Sequence, residues 1–484
     1  MAGAGVGPKA AEIDVSKLKR GPIVAALIIG AFVAILNETL LNIAFPDLMV
    51  QFGITEATVQ WLATSYMLVV GILVPITALL QQWFTTRQMF LGAMTLFLIG
   101  TIICGISPAF GVMLFGRIVQ AIGTGLMLPV LMNTILLIFP PENRGAAMGM
   151  IGLVIMTAPA IGPTISGLIV DTLNWRWLFF LVVPLAIFSI LFAAFFLKNV
   201  TVLTKPKVDF LSIILSTAGF GGIVYGFSSA GEHSWSYPLV GWTIAIGSIS
   251  LLLFIWRQLV VREPMLDLRA FRHPMFALVT VLMLVIMMSM FSTMIMLPLF
   301  LQNALGMTAL AAGLVLMPGG LINGLMAPIA GKLFDKFGPR MLVVPGLVLM
   351  ALSIFLFSRI EATWTGGYII FLHVMMMIGI SMVMMPAQTT GLNQLPRQLY
   401  AHGTAIMNTL MQVAAAIGTA LFVSVMSAGM RNYTETTGDL SPVSSMVAGL
   451  HSAFMLGFVL ALIAFALSWF VKRTVSPSEE SQKV

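Results

Sequence analysis

A single ionisable side chain, Glu38, lies within the first long apolar segment, residues 22–45. A carboxylate inside a bilayer costs about 2.5–3.5 kcal/mol on insertion scales, so an intramembrane acid marks a functional-site candidate. Asn37, Thr39 and Asn42 are its polar neighbours, and Asn42 shares a helix face with Glu38 because the two are four residues apart. The alternative is a polar helix face packed against another helix.

Arg117, in the fourth apolar segment, is predicted to lie at nearly the same depth as Glu38. At 1.5 Å per residue, Glu38 is about 24 Å from the face where its segment begins. Arg117 enters from the other side and is about 21 Å from that same face in a core about 30 Å thick. Burial favours a protonated carboxyl and a nearby arginine favours the ionised form, so a Glu38–Arg117 pair can carry a proton. The alternative is that Arg117 binds only backbone carbonyls while Glu38 faces a separate cavity.

Polar and aromatic side chains in other apolar segments are candidates to line a substrate cavity. In the first half of the chain they are Gln60, Trp61, Tyr66 and Gln120, and in the second half Gln388, Asn408 and Gln412. Asn37 and Asn42 join this set. His373 is ambiguous, because an intramembrane histidine serves structure as often as function.

The composition excludes an ordinary soluble domain. Of 484 residues, 59% are apolar and 8% charged, against about 25% charged in globular chains, and the mean hydropathy is +1.03. The single cysteine, Cys104, excludes an intrachain disulfide. Phosphate-binding loops, HExxH and nucleophile-elbow motifs are absent from the sequence, so we expect no catalytic centre, metal site or cofactor, and no use of ATP.

Fourteen segments are long and apolar enough to span a bilayer. An even number places both termini on one side of the membrane, and 20 of the 24 basic residues fall on that side against 3 on the other. The fourteen spans predict an all-α polytopic protein of the cell membrane. The charge bias places both termini in the cytoplasm, and it explains the net charge of +7 without a nucleic-acid partner. The segments are 22–45, 57–80, 88–106, 111–138, 146–170, 175–197, 210–229, 239–260, 275–302, 308–333, 341–358, 366–390, 403–430 and 447–471.

An internal repeat suggests two six-helix halves. Pro75 and Pro328 are 253 residues apart, and Pro129 and Pro386 are 257 apart, each pair in a similar context. Repeated halves are typical of secondary transporters; the alternative is chance similarity between apolar helices. The predicted parts are a cytoplasmic tail (1–21), a six-helix bundle (22–198), two inserted helices (199–262), a cytoplasmic amphipathic linker with apolar residues facing lipid (263–274), a second six-helix bundle (275–471) and a cytoplasmic tail (472–484).

The stretch GKLFDKFGPR resembles the cytoplasmic loop signature of the major facilitator superfamily, in which the loop acts as a latch between conformations. Gly338 permits an unusual backbone angle, Asp335 can pair with basic groups, and Gly331 lets helices approach closely. Gln82 and Thr85 replace the corresponding acid and glycine in the first half. The latch residues implied by the resemblance are Gly331, Asp335, Lys336, Gly338 and Arg340.

Three further stretches resemble, in turn, the helix-4 motif of proton-coupled members of this superfamily, its helix-5 antiporter motif, and the helix-1 motif of its fourteen-helix drug:proton antiporter family, within which lincomycin-resistance-type exporters are most similar. LFGRIVQAIGTG contains Arg117, and APAIGPTISG contains the antiporter-motif residues Gly162, Pro163 and Gly167. The first segment carries LNETLLNIAFP, where Asn37 takes the place of the family's aspartate. Its carboxylate follows at Glu38, about 100° further around the helix.

The resemblance implies a major facilitator fold of fourteen transmembrane helices. It further implies a proton-coupled multidrug exporter of amphipathic, cationic or zwitterionic compounds, working by alternating access as a monomer with the proton gradient as its energy source. The alternative within transport is export of a specific lipid or metabolite. An intramembrane enzyme or a sensor is the alternative from another class, but an enzyme needs clustered catalytic groups and a sensor usually carries a soluble output domain.

Overall fold

The computed structural model describes residues 19–54, 56–201, 203, 209–232, 237–261, 264–439 and 441–473. Fourteen helices of 18 residues or more lie within these ranges, one for each predicted segment, so the all-α fold class is confirmed. A short helix, Phe45–Phe52, follows the first of them. The long helices are α1 (Arg20–Leu40), α2 (Glu56–Trp83), α3 (Thr86–Gly105), α4 (Phe110–Ile138), α5 (Arg144–Thr172), α6 (Arg176–Phe196), α7 (Phe210–Glu232), α8 (Pro238–Val260), α9 (Pro274–Leu299), α10 (Ala309–Phe337), α11 (Arg340–Phe357), α12 (Gly366–Asn393), α13 (Tyr400–Thr437) and α14 (Pro442–Ser468).

Thirteen of these helices, counted over the described residues, are long and apolar enough to cross a membrane. The remaining one, α5, has 29 residues and packs against α10 and α1. Its length of about 44 Å exceeds the thickness of a bilayer core. The chain is therefore a multi-pass membrane protein.

Both ends of the described chain lie on one face of the helix bundle. The Arg20 guanidinium lies 5.7 Å from the ring centroid of Phe139, just after α4 ends, and Arg473 donates a hydrogen bond of 3.1 Å to the Asp335 carbonyl near the end of α10. We call this face the termini face and the other one the opposite face. The predicted terminal tails, except for residues 19–21 and 472–473, lie outside the described residues.

Glycines let α5 and α10 pack backbone against backbone. A Cβ atom on Gly331 would overlap the carbonyl oxygen of Gly145, and one on Gly149 would lie 2.5 Å from the carbonyl oxygen of Ala327. A side chain at either position would force the two helices apart. The contact joins the first six helices to the last six, and Gly331 lies within it.

The inserted helices α7 and α8 pack against each other, and α7 also contacts α2 and α13. Near the termini face, Asp209 accepts hydrogen bonds of 2.7 and 2.9 Å from Arg257. These bonds, with those from Ser212, hold the pKa of Asp209 at about 2. Gln258 donates to Ser212 and accepts from the Leu266 backbone N–H, which ties α8 to the linker.

The linker differs from the predicted amphipathic surface helix. Residues 262–263 lie outside the described part, and the helical portion that follows is a single 3-10 segment, Leu268–Arg272. Met265 and Leu266 are only 3% and 2% exposed, so they pack inside the protein rather than facing lipid. The hydrogen bond from the Leu266 N–H to Gln258 attaches this stretch to the end of α8.

Candidate functional site

Arg117, on α4, is buried among neutral hydrogen-bond acceptors. Its Nη1 donates to Asn37 Oδ1 at 3.1 Å and to Gln120 Oε1 at 3.0 Å. Its Nε donates to the Leu62 carbonyl at 3.4 Å, and the guanidinium lies 4.2 Å from the ring centroid of Tyr66. The side chain is 1% exposed. A buried cation is thus held by residues of α1, α2 and α4, and the structure brings the predicted Asn37, Tyr66 and Gln120 together around it.

Two threonines orient the groups around Arg117. Gln120 Nε2 donates to Thr101 Oγ1 at 2.8 Å, which fixes its oxygen toward Arg117. The Tyr66 hydroxyl and Thr124 Oγ1 are 2.6 Å apart. Neither threonine is among the residues predicted from the sequence. Thr124 was detectable, because it lies one turn beyond Gln120 on the same face of α4, whereas Thr101 lies on α3 and nothing local marked it.

Glu38 lies beside this cluster without forming an ion pair in it. Glu38 follows Asn37 on α1, so its carboxylate lies close to the Arg117 guanidinium that Asn37 binds. Between these described residues, however, no Glu38 oxygen is within ion-pair distance of Arg117, whose direct partner on α1 is Asn37. Asn37 is buried, whereas Glu38 is partly accessible. Asn37, at the position where the resemblance expects an aspartate, therefore binds Arg117 through its amide oxygen, and the Glu38 carboxylate lies on the next residue.

The predicted antiporter motif on α5 supports the turn of α1 that carries Glu38. A Cβ atom on Gly162 would overlap Thr39 Oγ1, so the two helices touch at this glycine. Ser166 donates a hydrogen bond of 2.6 Å to the Leu40 carbonyl one turn further along. A Cβ atom on Gly167 would meet nothing within 4 Å, and the side chain of Pro163 lies outside the described part. The close approach at Gly162 fixes where α1 places its polar turn.

Two of the other predicted residues lie away from Arg117. Trp61 is 40% exposed and its ring centroid lies 5.7 Å from that of Tyr225 on α7. His373 is buried, and its ring meets α10 at Gly319. Neither side chain therefore belongs to the arginine cluster.

The predicted cavity residues of the second half also lie apart from the arginine cluster. Gln388 and Asn408 both contact Met132 of α4, which lies nearer the termini face than Arg117 does. Gln412 is partly exposed on α13. In the first half, the side chains of Asn42 and Gln60 lie outside the described residues. The predicted cavity set thus divides between the Arg117 cluster and a separate contact at Gln388.

The predicted latch joins α10 to α5 through backbone groups. Asp335 Oδ1 accepts from the Gly145 N–H at 2.9 Å, and its Oδ2 accepts from the Ala146 N–H at 2.8 Å. The Asp335 carboxylate is therefore hydrogen-bonded to the electropositive N-terminus of α5, and a basic side chain, Arg473, donates to the Asp335 backbone carbonyl. Gly338 has the expected positive φ, 84°. Arg340 lies over the Trp469 ring, at 5.3 Å from its centroid.

Comparisons with known proteins agree with this architecture. The sequence profile described as Major Facilitator Superfamily matches residues 27–419. The chain is 52% identical to the lincomycin resistance protein LmrB of Listeria innocua, over 94% of this chain and 98% of that protein. It is also 52% identical to the protein of that name from Bacillus subtilis, over 93% and 96%.

Two solved structures share the fold at low sequence identity. The human organic anion transporter MFSD10 (TETRAN) superposes with a TM-score of 0.64 at 16% identity, covering 93% of this chain and 100% of that one. The proton:xylose symporter XylE superposes with a TM-score of 0.63 at 16% identity, covering 94% and 96%. These two matches establish the helical architecture.

Proposed function

The chain belongs to the Major Facilitator Superfamily, and on that premise we propose that it exports amphipathic, cationic or zwitterionic drugs in exchange for protons. Membership makes it a membrane transporter rather than an enzyme. The observation that carries the proton-coupling proposal is the position of Glu38, next to a buried Arg117 that another residue already binds. The distribution of basic residues supports an orientation in the cell membrane with both termini in the cytoplasm.

The arrangement around Arg117 suits a carboxylate that must gain and lose a proton. Because Asn37 and Gln120 hold the guanidinium, its position does not depend on whether Glu38 is charged. The arginine favours the ionised carboxylate, and low-polarity surroundings favour the neutral one. A change in access from one side of the membrane to the other then shifts the balance between the two forms.

Lincomycin is the first compound to test as a substrate, because the relatives from Listeria and Bacillus are named for resistance to it. We expect drug and proton to compete, since a cationic group on the drug can use Glu38 as its counter-charge. No cofactor is required under this proposal, because the proton gradient supplies the energy and a monomer carries the complete site.

Transport of lincomycin and of a lipophilic cationic dye into inside-out membrane vesicles, with an imposed proton gradient, tests the proposal. We expect accumulation that stops when a protonophore collapses the gradient. Vesicles carrying Glu38→Gln should bind the drug without accumulating it, while the exposed loop variant Glu361→Gln serves as the control. Accumulation that persists after the gradient is collapsed would refute proton coupling.

A further inference from the structure

Two amides of the last six helices share one sulfur acceptor of the first six. Gln388 Nε2 on α12 and Asn408 Nδ2 on α13 each lie 3.4 Å from Met132 Sδ on α4. A thioether is a weak acceptor, so two strong donors are paired with a poor partner. Asn408 has one further bond, of 3.0 Å, to the Thr404 carbonyl.

Hydrogen-bonding capacity at this contact is left unused. Gln388 is 0% exposed, yet its Oε1 has no hydrogen-bond partner among the residues that the structure describes. Thr404 Oγ1, one turn from Asn408, is also buried and has no partner within the described part of the chain. Buried polar atoms in native proteins nearly always have partners, and each exception calls for an explanation. A ligand that binds in another conformation is such an explanation, because it would satisfy these atoms.

The contact lies where the two halves of the repeat meet. Met132 is three residues after Pro129 and Gln388 is two residues after Pro386, the prolines that the repeat makes equivalent. Six residues separate Met132 from the end of α4 at Ile138, about 9 Å from the termini face. Arg117 is a further fifteen residues, about 22 Å, along the same helix. The contact is therefore a separate layer between the Arg117 cluster and the termini face.

We propose that Gln388 and Asn408 form a second substrate subsite on the termini side of the protein, and that Met132 fills it as an internal stand-in while that side is closed. The inference rests on the proposed export function. When the halves separate, the Met132 sulfur leaves and a substrate oxygen accepts from both amides, while a substrate hydroxyl or amide N–H donates to Gln388 Oε1. Met132, Gln388, Thr404 and Asn408 are all uncharged, so the subsite binds the neutral, hydroxyl- or amide-bearing part of an amphipathic molecule.

The last six helices contain a matched control for this chemistry. Asn323 Nδ2 on α10 lies 3.4 Å from Met377 Sδ on α12, which is again an amide facing a thioether. Both residues are buried and both belong to the second half of the repeat. Movement between the halves does not separate this pair, so substitutions at Met377 should not affect access from the termini face.

The test compares side chains at position 132 that differ in hydrogen-bond acceptor strength but have nearly the same size. Met132→Leu removes the acceptor and Met132→Gln supplies a strong one. The reporter is Thr404→Cys in a Cys104→Ala background, labelled by a membrane-impermeant maleimide added to the termini side in vesicles. We expect the labelling rate to fall in the order Leu, Met, Gln, by about two- to tenfold per step, the effect of one hydrogen bond on an equilibrium. Lincomycin should protect the Leu variant at the lowest concentration.

Each outcome decides between a subsite and simple packing. If Leu and Gln change the labelling rate in the same direction, or if the Met377 series gives the same order, the stand-in role is overturned. Gln388→Ala should abolish protection by lincomycin, and unchanged protection would overturn the subsite. If the labelling rates do not follow the order Leu, Met, Gln while gradient-driven efflux persists, only this inference is refuted. An intact order with no lincomycin protection in any variant supports the stand-in role of Met132 but overturns the subsite for lincomycin, while lincomycin accumulation in vesicles separately decides whether it is a substrate.

Discussion

Arg117 is a buried cation whose direct hydrogen bonds, among the described residues, go to neutral oxygens. Asn37, Gln120 and the Leu62 carbonyl hold it from three different sequence segments, and Tyr66 covers its face. Removing the partner of a buried charge is more damaging than removing a surface contact, because the remaining group stays desolvated. The cluster should therefore tolerate few substitutions, and the neighbouring Glu38 should affect function more than folding.

Replacing Glu38 by Gln should abolish proton-driven efflux and leave substrate binding measurable. Gln is nearly isosteric with Glu, and Arg117 keeps its bonds to Asn37 and Gln120, so the fold should persist. Lipophilic cations should lose more affinity than neutral compounds, because a counter-charge has been removed. Wild-type efflux at normal expression in this variant would refute the role of Glu38.

Replacing Arg117 by Lys should destabilise the protein although the charge is kept. Lysine lacks the planar fork that donates to Asn37, Gln120 and Leu62 at the same time. Each acceptor left unpaired costs about 1–3 kcal/mol. The melting temperature of the purified protein measures the loss, and Arg359→Lys on an exposed turn is the control. An unchanged melting temperature would show that the cluster does not stabilise the helix contacts.

At the scale of helices, α5 and α10 form a contact that only glycine permits. Replacing Gly331 by Ala places a methyl group against the Gly145 carbonyl oxygen, so the helices must move apart. Overpacking of this kind costs about 1–3 kcal/mol. We expect faster labelling of a termini-side cysteine, because the halves separate there. Gly313→Ala, on the same helix with nothing within 4 Å, should have no effect.

Asp335 joins the same two helices by capping the N-terminus of α5. Replacing it by Asn keeps the size but removes a charge from a helix end that favours anions, so the closed termini face should be less stable. We expect slower transport with little change in substrate affinity, measured in vesicles across drug concentrations. The control is Asp47→Asn, at an exposed site near the opposite face. A collapse in affinity at constant turnover would contradict the latch.

For the whole molecule, the sidedness of the bundle is the property to test. In a Cys104→Ala background, Glu142→Cys lies near the termini face and Thr436→Cys near the opposite face, both exposed. If the termini are cytoplasmic, an impermeant thiol reagent added to intact cells should label only position 436. In inside-out vesicles it should label only position 142. The reverse pattern would overturn the orientation derived from the charge bias.

The number of helices, the family resemblance and the predicted shared depth of Glu38 and Arg117 could all be read from the sequence. These follow from local quantities: a span requires a fixed apolar length, and a helix rises by a fixed distance per residue. The motifs at Gly331 and Gly162 were also readable, because small residues such as glycine let helix backbones approach closely. Both glycines lie at close contacts of α5, with α10 and α1 respectively.

Which side chains meet depends on how the helices pack, and the sequence alone does not show this. Depth fixes a residue along the helix axis, whereas its direction changes by about 100° with each residue and its partner depends on how neighbouring helices pack. For that reason Asn37 rather than Glu38 bonds to Arg117, and Trp61 turns toward Tyr225 on α7. Contacts between distant segments, such as Asp335 with the start of α5 and Met132 with Gln388, arise from the same packing, which no local pattern in the chain records.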